Sequence, residues 1–240
     1  MYAMTRQITY SQVGSDLHTD MAILVHLFQD CTLFHAEAVG KGLNEVDIMK
    51  KAWFLLSWQV KVFSYPSFGD TITVRTWPHA FKGTYGYRNF DLLDEDGNQL
   101  AIANSIWAFM DIKTLHPIKP GDEDLRGYDM EPALDMEYAP RKIKLLLEDN
   151  LVKQDAPIMV KRTFLDSNMH VNNGRYVAEA MNYIPEDKKL DSMRVDYRKA
   201  AMLGDQMYPF VYESKDRTSC QIVFADGDKL PYVIVEAVYR

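Results

Sequence analysis

The chain has 240 residues, 47% of them apolar, enough to bury a full core as one large domain or two small ones. Its net charge of −7 and pI near 5.4 argue against a nucleic-acid or membrane-surface binder, since either favours a basic field, although a local basic patch is compatible with both values. Two cysteines, Cys31 and Cys220, are too few and too far apart for a disulfide framework or a CxxC metal site, so a reducing cytoplasm is the expected setting.

The opening M-Y-A-M-T-R-Q-I-T-Y lacks the apolar core of a signal peptide, and no run nears the roughly 18 apolar residues of a membrane span. After a strand-like start around Ile8 and Tyr10, a long helix is predicted from a cap at Thr19 or Asp20. Leu24, Leu27, Phe28, Cys31, Phe34 and Ala38 form its apolar face, and Gly40 or Gly42 supplies the left-handed stop. From Trp53 to Asp111 the pattern turns to strands: Val60, Val62, Ile72, Val74 and Thr76 alternate, Asp94-Glu95-Asp96-Gly97-Asn98 reads as a hairpin, and Ala101 to Met110 as a further strand. Helix first and antiparallel strands after is the α+β order.

Five of the ten prolines fall between Pro117 and Pro157, which reads as a linker over the outside of the protein with a short helix around Ile143 to Glu148. Then the pattern returns. Gly69-Asp70 recurs as Gly204-Asp205, Val60 and Val62 are answered by Val195 and Tyr197, and Asp96-Gly97 recurs as Asp226-Gly227 before a last strand, Tyr232 to Tyr239. A helix-then-sheet unit used twice is the natural reading, with boundaries at 1–115, a linker over 116–157, and 158–240. Such duplicated units usually pack as a pseudo-twofold pair, which leaves a homodimer of the whole chain open.

One polar cluster stands out, Asp166 to Tyr176, D-S-N-M-H-V-N-N-G-R-Y. Asp166, Asn168 and His170 recur at period two, so an extended backbone would put them on one face. Tyr176, Val177, Ala180, Met181 and Ile184 then follow helical spacing up to Pro185, with Asn172 or Asn173 as N-cap. A carboxylate, an amide and an imidazole at a helix N-terminus suit carbonyl chemistry through an oxyanion. The plainer readings make His170 a hydrogen-bonded structural histidine, Asp166 a turn-forming carboxylate, and one of the two asparagines simply the cap. Cys31, on the helix stripe, is expected in the core. His18, His26 and His35 do not form an i, i+4 pair and H-E-x-x-H is absent, so no metal site is expected; G-x-S-x-G is absent too.

D-S-N-M-H-V-N-N-G-R-Y resembles the D-x-N-x-H-V-N-N-x-x-Y signature of acyl-acyl carrier protein thioesterases. G-T-Y-G-Y-R-N-F-D-L-L-D-E-D-G-N and S-I-W-A-F-M-D-I-K-T-L-H-P-I-K-P look like that family's arginine-bearing strand, hairpin and tryptophan strand, extending the likeness from about Tyr10 to the C-terminus. The resemblance implies a double hot-dog fold, two long helices each wrapped by an antiparallel sheet, with the acyl-chain cavity mainly in the first repeat and the chemistry in the second. It implies hydrolysis of fatty acyl-acyl carrier protein without metal or organic cofactor, and assigns Asp166, Asn168 and His170 as catalytic. Arg88 and Trp107, also at family positions, read as structural or cavity-lining.

Plant members carry a glutamate and a cysteine in a segment like E-Y-R-R-E-C, where this chain has Asp196-Tyr197-Arg198-Lys199-Ala200-Ala201. Both positions are alanine, which argues against a cysteine nucleophile and raises the question of a substitute carboxylate, Glu179 being one. It also keeps open a non-catalytic acyl-binding homologue beside a second enzyme reading, an acyl-coenzyme A thioesterase. The carrier protein is acidic, so Lys50-Lys51, Arg141-Lys142 with Lys144, Lys188-Lys189, and Arg194 with Arg198-Lys199 are the candidate docking charges.

Overall fold

The computed structural model describes residues 1–146, 150–185 and 187–239, the side chain of Asp47 excepted. The chain divides into two compact units, the first comprising Met1–Leu56 and Val60–Ala139, the second Ser57–Gln59 and Pro140–Arg240. The proline-rich stretch is therefore shared between the units and is not a free-standing linker. No helix among the described residues is long and apolar enough to cross a membrane.

The first unit holds β1 (Tyr2–Gln7), α1 (Met21–Ala38), α2 (Leu43–Met49), β2 (Lys51–Val62) apart from Ser57–Gln59, β3 (Thr71–Lys82), β4 (Tyr85–Leu93), β5 (Gln99–Asp111), β6 (His116–Pro117) and α3 (Asp122–Leu125). Its main strands follow the order β1-β3-β4-β5-β2. Asp20 caps α1 by accepting the Ile23 N–H at 2.9 Å, and Gly40 at φ 69° ends it. Leu24, Phe28 and Cys31 are buried as expected, but the inward stripe continues to His35, while Phe34 and Ala38 face solvent. Spacings of four, three and four keep His35 over Cys31, whereas Phe34 sits about 100° round the helix from His35. The inner face packs against β3 and β4: the Cys31 thiol donates to Val74 O at 3.5 Å, and the Phe28 and Phe90 rings lie 5.2 Å apart.

The second unit holds β7 (Leu151–Gln154), β8 (Ile158–Met159), α4 (Asn173–Met181), β9 (Leu190–Tyr197), β10 (Gln206–Glu213), β11 (Ser219–Ala225) and β12 (Pro231–Tyr239), with the antiparallel order β9-β12-β11-β10-β7. Here α4 is a helix of only nine residues, ending before Ile184.

The Gly-Asp repeat is structural. Gly69 and Gly204 take φ of 90° and 87°, and the following aspartates accept the N–H groups of Ser67 at 2.8 Å and Met202 at 2.9 Å. The Asp-Gly pairing is corrected by the structure. Asp94 accepts from the N–H groups of Asp96 and Asn98, and its counterpart is Asp226, which accepts from Asp228 and Leu230. Gly97, at φ 83°, therefore matches Lys229, at φ 61°, and not Gly227.

Within each unit a strand side chain ties down part of the proline-rich stretch. Asn89 Oδ1 accepts from Leu134 N at 3.1 Å and from the Tyr138 hydroxyl at 2.9 Å in the first. In the second, buried Asp196 accepts from Arg141, Ile143 N and Arg198 Nε. Leu146 N donates to Gln221 at 2.9 Å, so residues 143–146 form an extended strap where a helix was expected, and the rest of that expected helix, residues 147–148, lies outside the described residues.

Candidate functional site

Asp166, Asn168 and His170 come together by a mechanism other than strand alternation. The backbone folds into a tight turn in which Asp166 N donates to His170 O at 2.8 Å and Met169 N to Asp166 O at 3.1 Å. Met169 takes a left-handed φ of 62° to close it. Asp166 Oδ1 accepts the N–H of Asn168 at 2.8 Å and, more weakly, that of His170 at 3.4 Å. The period-two spacing thus marks an Asx-type turn, in which the carboxylate replaces backbone acceptors that a strand would have found in its neighbour.

Downstream, Val171 bridges to Leu165, Asn172 N donates to Phe164 O at 2.8 Å, and Asn172 Oδ1 accepts Gly174 N at 2.9 Å. Asn172 is therefore the cap of α4. The Asn173 N–H has no acceptor among the described residues and remains a free donor at the helix start. The side chains of Asn168 and His170 likewise make no hydrogen bond among the described residues; Asn168 is exposed and His170 half-buried. No direct side-chain bond joins Asp166, Asn168 and His170.

The segment Ala200 to Asp205 runs alongside. His170 pairs with Met202 in an antiparallel bridge, and Val171 N donates to Ala201 O at 2.9 Å. Ala201, wholly buried, donates its N–H to the Tyr176 hydroxyl at 3.0 Å. Burial of that phenol raises its pKa well above the ordinary tyrosine range, so it stays neutral. Asp205 Oδ2 accepts Met202 N at 2.9 Å and the Tyr232 hydroxyl at 3.4 Å, fixing the strip of chain that faces His170. Tyr197 donates its hydroxyl to Asn173 O at 2.9 Å. Tyr176 closes the motif itself, whereas Asp205, Tyr197 and Tyr232 are supporting residues that the motif alone does not reveal, although the Gly-Asp repeat does mark Asp205.

Glu179 is occupied elsewhere: its Oε1 lies 2.5 Å from Arg175, whose guanidinium stacks 4.2 Å from the Phe164 ring centroid. Cys31 is buried and its thiol is pushed up to about 12 by that burial; burial also raises the Cys220 thiol, so neither is a ready nucleophile. Several expected docking charges are already paired: Lys51 with Asp124, Arg141 and Arg198 with Asp196, Arg194 with Glu236, Lys199 with Asp226. Lys161 and Arg162, exposed on the short 3₁₀ turn leading into Phe164, form no ion pair among the described residues.

Residues 1–128 match the acyl-ACP thioesterase N-terminal domain family, and residues 147–231 its C-terminal domain family. A dodecanoyl-[acyl-carrier-protein] hydrolase of Umbellularia californica is 30% identical over 217 residues, covering 83% of this chain and 56% of that protein. An acyl-[acyl-carrier-protein] hydrolase of Cuphea viscosissima is 28% identical over 203 residues, covering 78% of this chain and 49% of its own length. This chain thus spans about half the length of these plant relatives. In fold, the crystal structure of an acyl-ACP thioesterase from Bacteroides thetaiotaomicron superposes with a TM-score of 0.88 at 20% identity, over 99% of this chain and 97% of that one. The architecture is accordingly the α+β double hot-dog.

Proposed function

Because the chain belongs to the acyl-ACP thioesterase family, we propose that it hydrolyses the thioester of fatty acyl-acyl carrier protein to release a free fatty acid. The observation that carries this reading is the turn at the head of α4, where an imidazole without a hydrogen-bond partner among the described residues stands beside a capped helix start whose Asn173 N–H has no acceptor among them either. His170 is the general base. It takes a proton from water as the water oxygen bonds to the thioester carbonyl carbon. The carbonyl oxygen gains negative charge, which the Asn173 N–H, the helix dipole and the Asn168 amide stabilise. Collapse of this intermediate breaks the carbon–sulfur bond, and the imidazolium returns its proton to the departing sulfur.

Asp166 is a positioning residue in this scheme, since one of its oxygens holds the turn that presents Asn168 and His170. With alanine at 200 and 201 and both cysteines buried, water is the nucleophile. Lys161 and Arg162, immediately before the site, meet the acidic carrier.

His170→Ala is expected to lower kcat on acyl-carrier substrate by about 10²- to 10⁴-fold; undiminished turnover would remove His170 from the chemistry. Reversing Lys161 and Arg162 to glutamate should raise KM for carrier-bound substrate and leave a short acyl-pantetheine unaffected. The competing reading, an acyl-binding protein without turnover, draws on Ala200 and Ala201, and absence of release from any chain length by the unaltered protein would favour it.

A further inference from the structure

The turn that carries His170 is built twice. Gly14-Ser15-Asp16-Leu17-His18-Thr19-Asp20 stands before α1 as Asp166-Ser167-Asn168-Met169-His170-Val171-Asn172 stands before α4. Gly14 N donates to His18 O at 2.9 Å and Leu17 N to Gly14 O at 3.0 Å, against 2.8 and 3.1 Å in the second unit. Leu17 and Met169 share a left-handed φ, 61° and 62°. His18 bridges to Ser67 as His170 does to Met202, and Thr19 N donates to Pro66 O at 2.9 Å as Val171 N does to Ala201 O. Each bridging strip ends in the matched Gly-Asp turn, Gly69-Asp70 or Gly204-Asp205.

The surroundings match in character as well as in backbone. Leu17, Phe68 and Tyr10 are each more than half exposed around His18, with Tyr10 edge-on to Phe68 at 6.2 Å. Met169, Met202 and Leu203 are each more than half exposed around His170. Exposed large apolar side chains gathered at a histidine turn suit a ligand with an apolar tail and a polar head. The chemistry differs at two positions. Where Asn168 can donate, Asp16 presents a carboxylate, whose Oδ1 accepts the His18 N–H at 3.1 Å; where Asp166 stands, Gly14 has no side chain.

We infer that the His18 turn is a second binding site for an acyl thioester on a pantetheine-like arm, which it holds without hydrolysing. This rests on the thioester reading of the His170 turn. Binding needs the apolar rim and the turn, which the first unit keeps. Turnover needs a donor for the oxyanion, and a carboxylate in that place repels the developing charge. The His18 ring is also oriented: Nδ1 donates to Asp16 O at 2.8 Å, which leaves Nε2 as the nitrogen available to a ligand.

The test uses the intact chain and a thioether ketone analogue, S-(2-oxotetradecyl)-pantetheine, which cannot be cleaved. Calorimetric titration should return two equivalents per chain, and Phe68→Ser should return one while hydrolysis of acyl-carrier substrate stays unchanged. In the unaltered protein the His18 imidazole NMR signals should shift saturably with the same analogue, a readout independent of how the variant folds. A single equivalent, with His18 signals unmoved, would overturn the second site and leave the hydrolytic reading intact. Two equivalents in a protein that releases no fatty acid would overturn the hydrolytic reading and leave the second site standing.

Discussion

In the second unit a carboxylate stands first in the histidine turn and an amide third; in the first unit the first place is glycine and the carboxylate has moved to the third. Both arrangements hold the loop, because an aspartate oxygen accepts the histidine N–H from either place, at 3.4 Å from Asp166 and 3.1 Å from Asp16. The backbone is therefore indifferent to which residue caps it, while the chemistry is not. Moving the carboxylate to the first place frees the third for a neutral donor. The comparison separates two duties of one motif, making the turn and receiving the oxyanion, that the Asp166 to His170 sequence alone presents as one.

Asn168→Asp gives the second turn the third-position carboxylate of the first. It should lower kcat by about 10²- to 10³-fold with KM little changed, the usual effect of losing one oxyanion donor. A change in kcat of less than about threefold in a steady-state assay would show that Asn168 is not the donor.

A second contrast lies in the helices that follow the turns. The last turn of α1 buries His35, whose Nδ1 accepts from Arg88 Nη1 at 2.9 Å and whose ring stacks on Tyr2 at 5.4 Å; α4 contains no histidine. Burial first, and the Arg88 charge second, lower the His35 pKa to about 4. An unfolded chain takes up the proton near pH 6.5 while the folded one refuses it until about pH 4. Stability present above pH 6.5 is therefore lost as pH falls through that window, by about 3 kcal/mol in all. His35→Gln should flatten this part of the pH profile in denaturant unfolding. Hydrogen exchange should show the acid loosening in α1 and not in α4.

These contrasts were unequally legible in the sequence. Strong local signals survived: the α1 cap at Asp20, the stop at Gly40, the hairpin at Asp94 to Asn98 and the Gly-Asp repeat each depend on a few adjacent residues. The 166–170 turn reads as extended in sequence because alternating polar residues satisfy a strand pattern and an Asx turn equally, and Met169 takes a left-handed φ without the glycine that would advertise it. The first-unit turn carries no sequence signal of its kinship, because only Ser and His are shared at matched places in seven residues, the aspartate having moved. The Asp-Gly pair misled by two residues because Asp94 and Asp226, not the glycines, anchor the hairpins. The strap was unreadable in principle, since its anchors Asp196 and Gln221 are distant in sequence from the segment they bind.

The smallest expected effect is also the most demanding test of the two turns. In a His170→Ala background, Gly14→Asp with Asp16→Asn gives the first turn the acid, amide and histidine of the second on a backbone that already has the same left-handed residue and bridge. Gly14 carries no positive φ, and a Cβ there would meet its nearest atom, Asp16 Oδ1, at 3.5 Å, an ordinary contact, so the new side chain fits without strain. The new carboxylate takes over the turn-holding bonds that Asp16 gives up, and the new amide supplies the missing donor. Turnover should rise about tenfold over the His170→Ala single variant, a fraction of what a full donor contributes because the rim residues differ. The gain must vanish when His18→Ala is added. A rise that survives that substitution would assign the activity to another group, and no rise at all would mean that the two turns differ in more than the three side chains they carry.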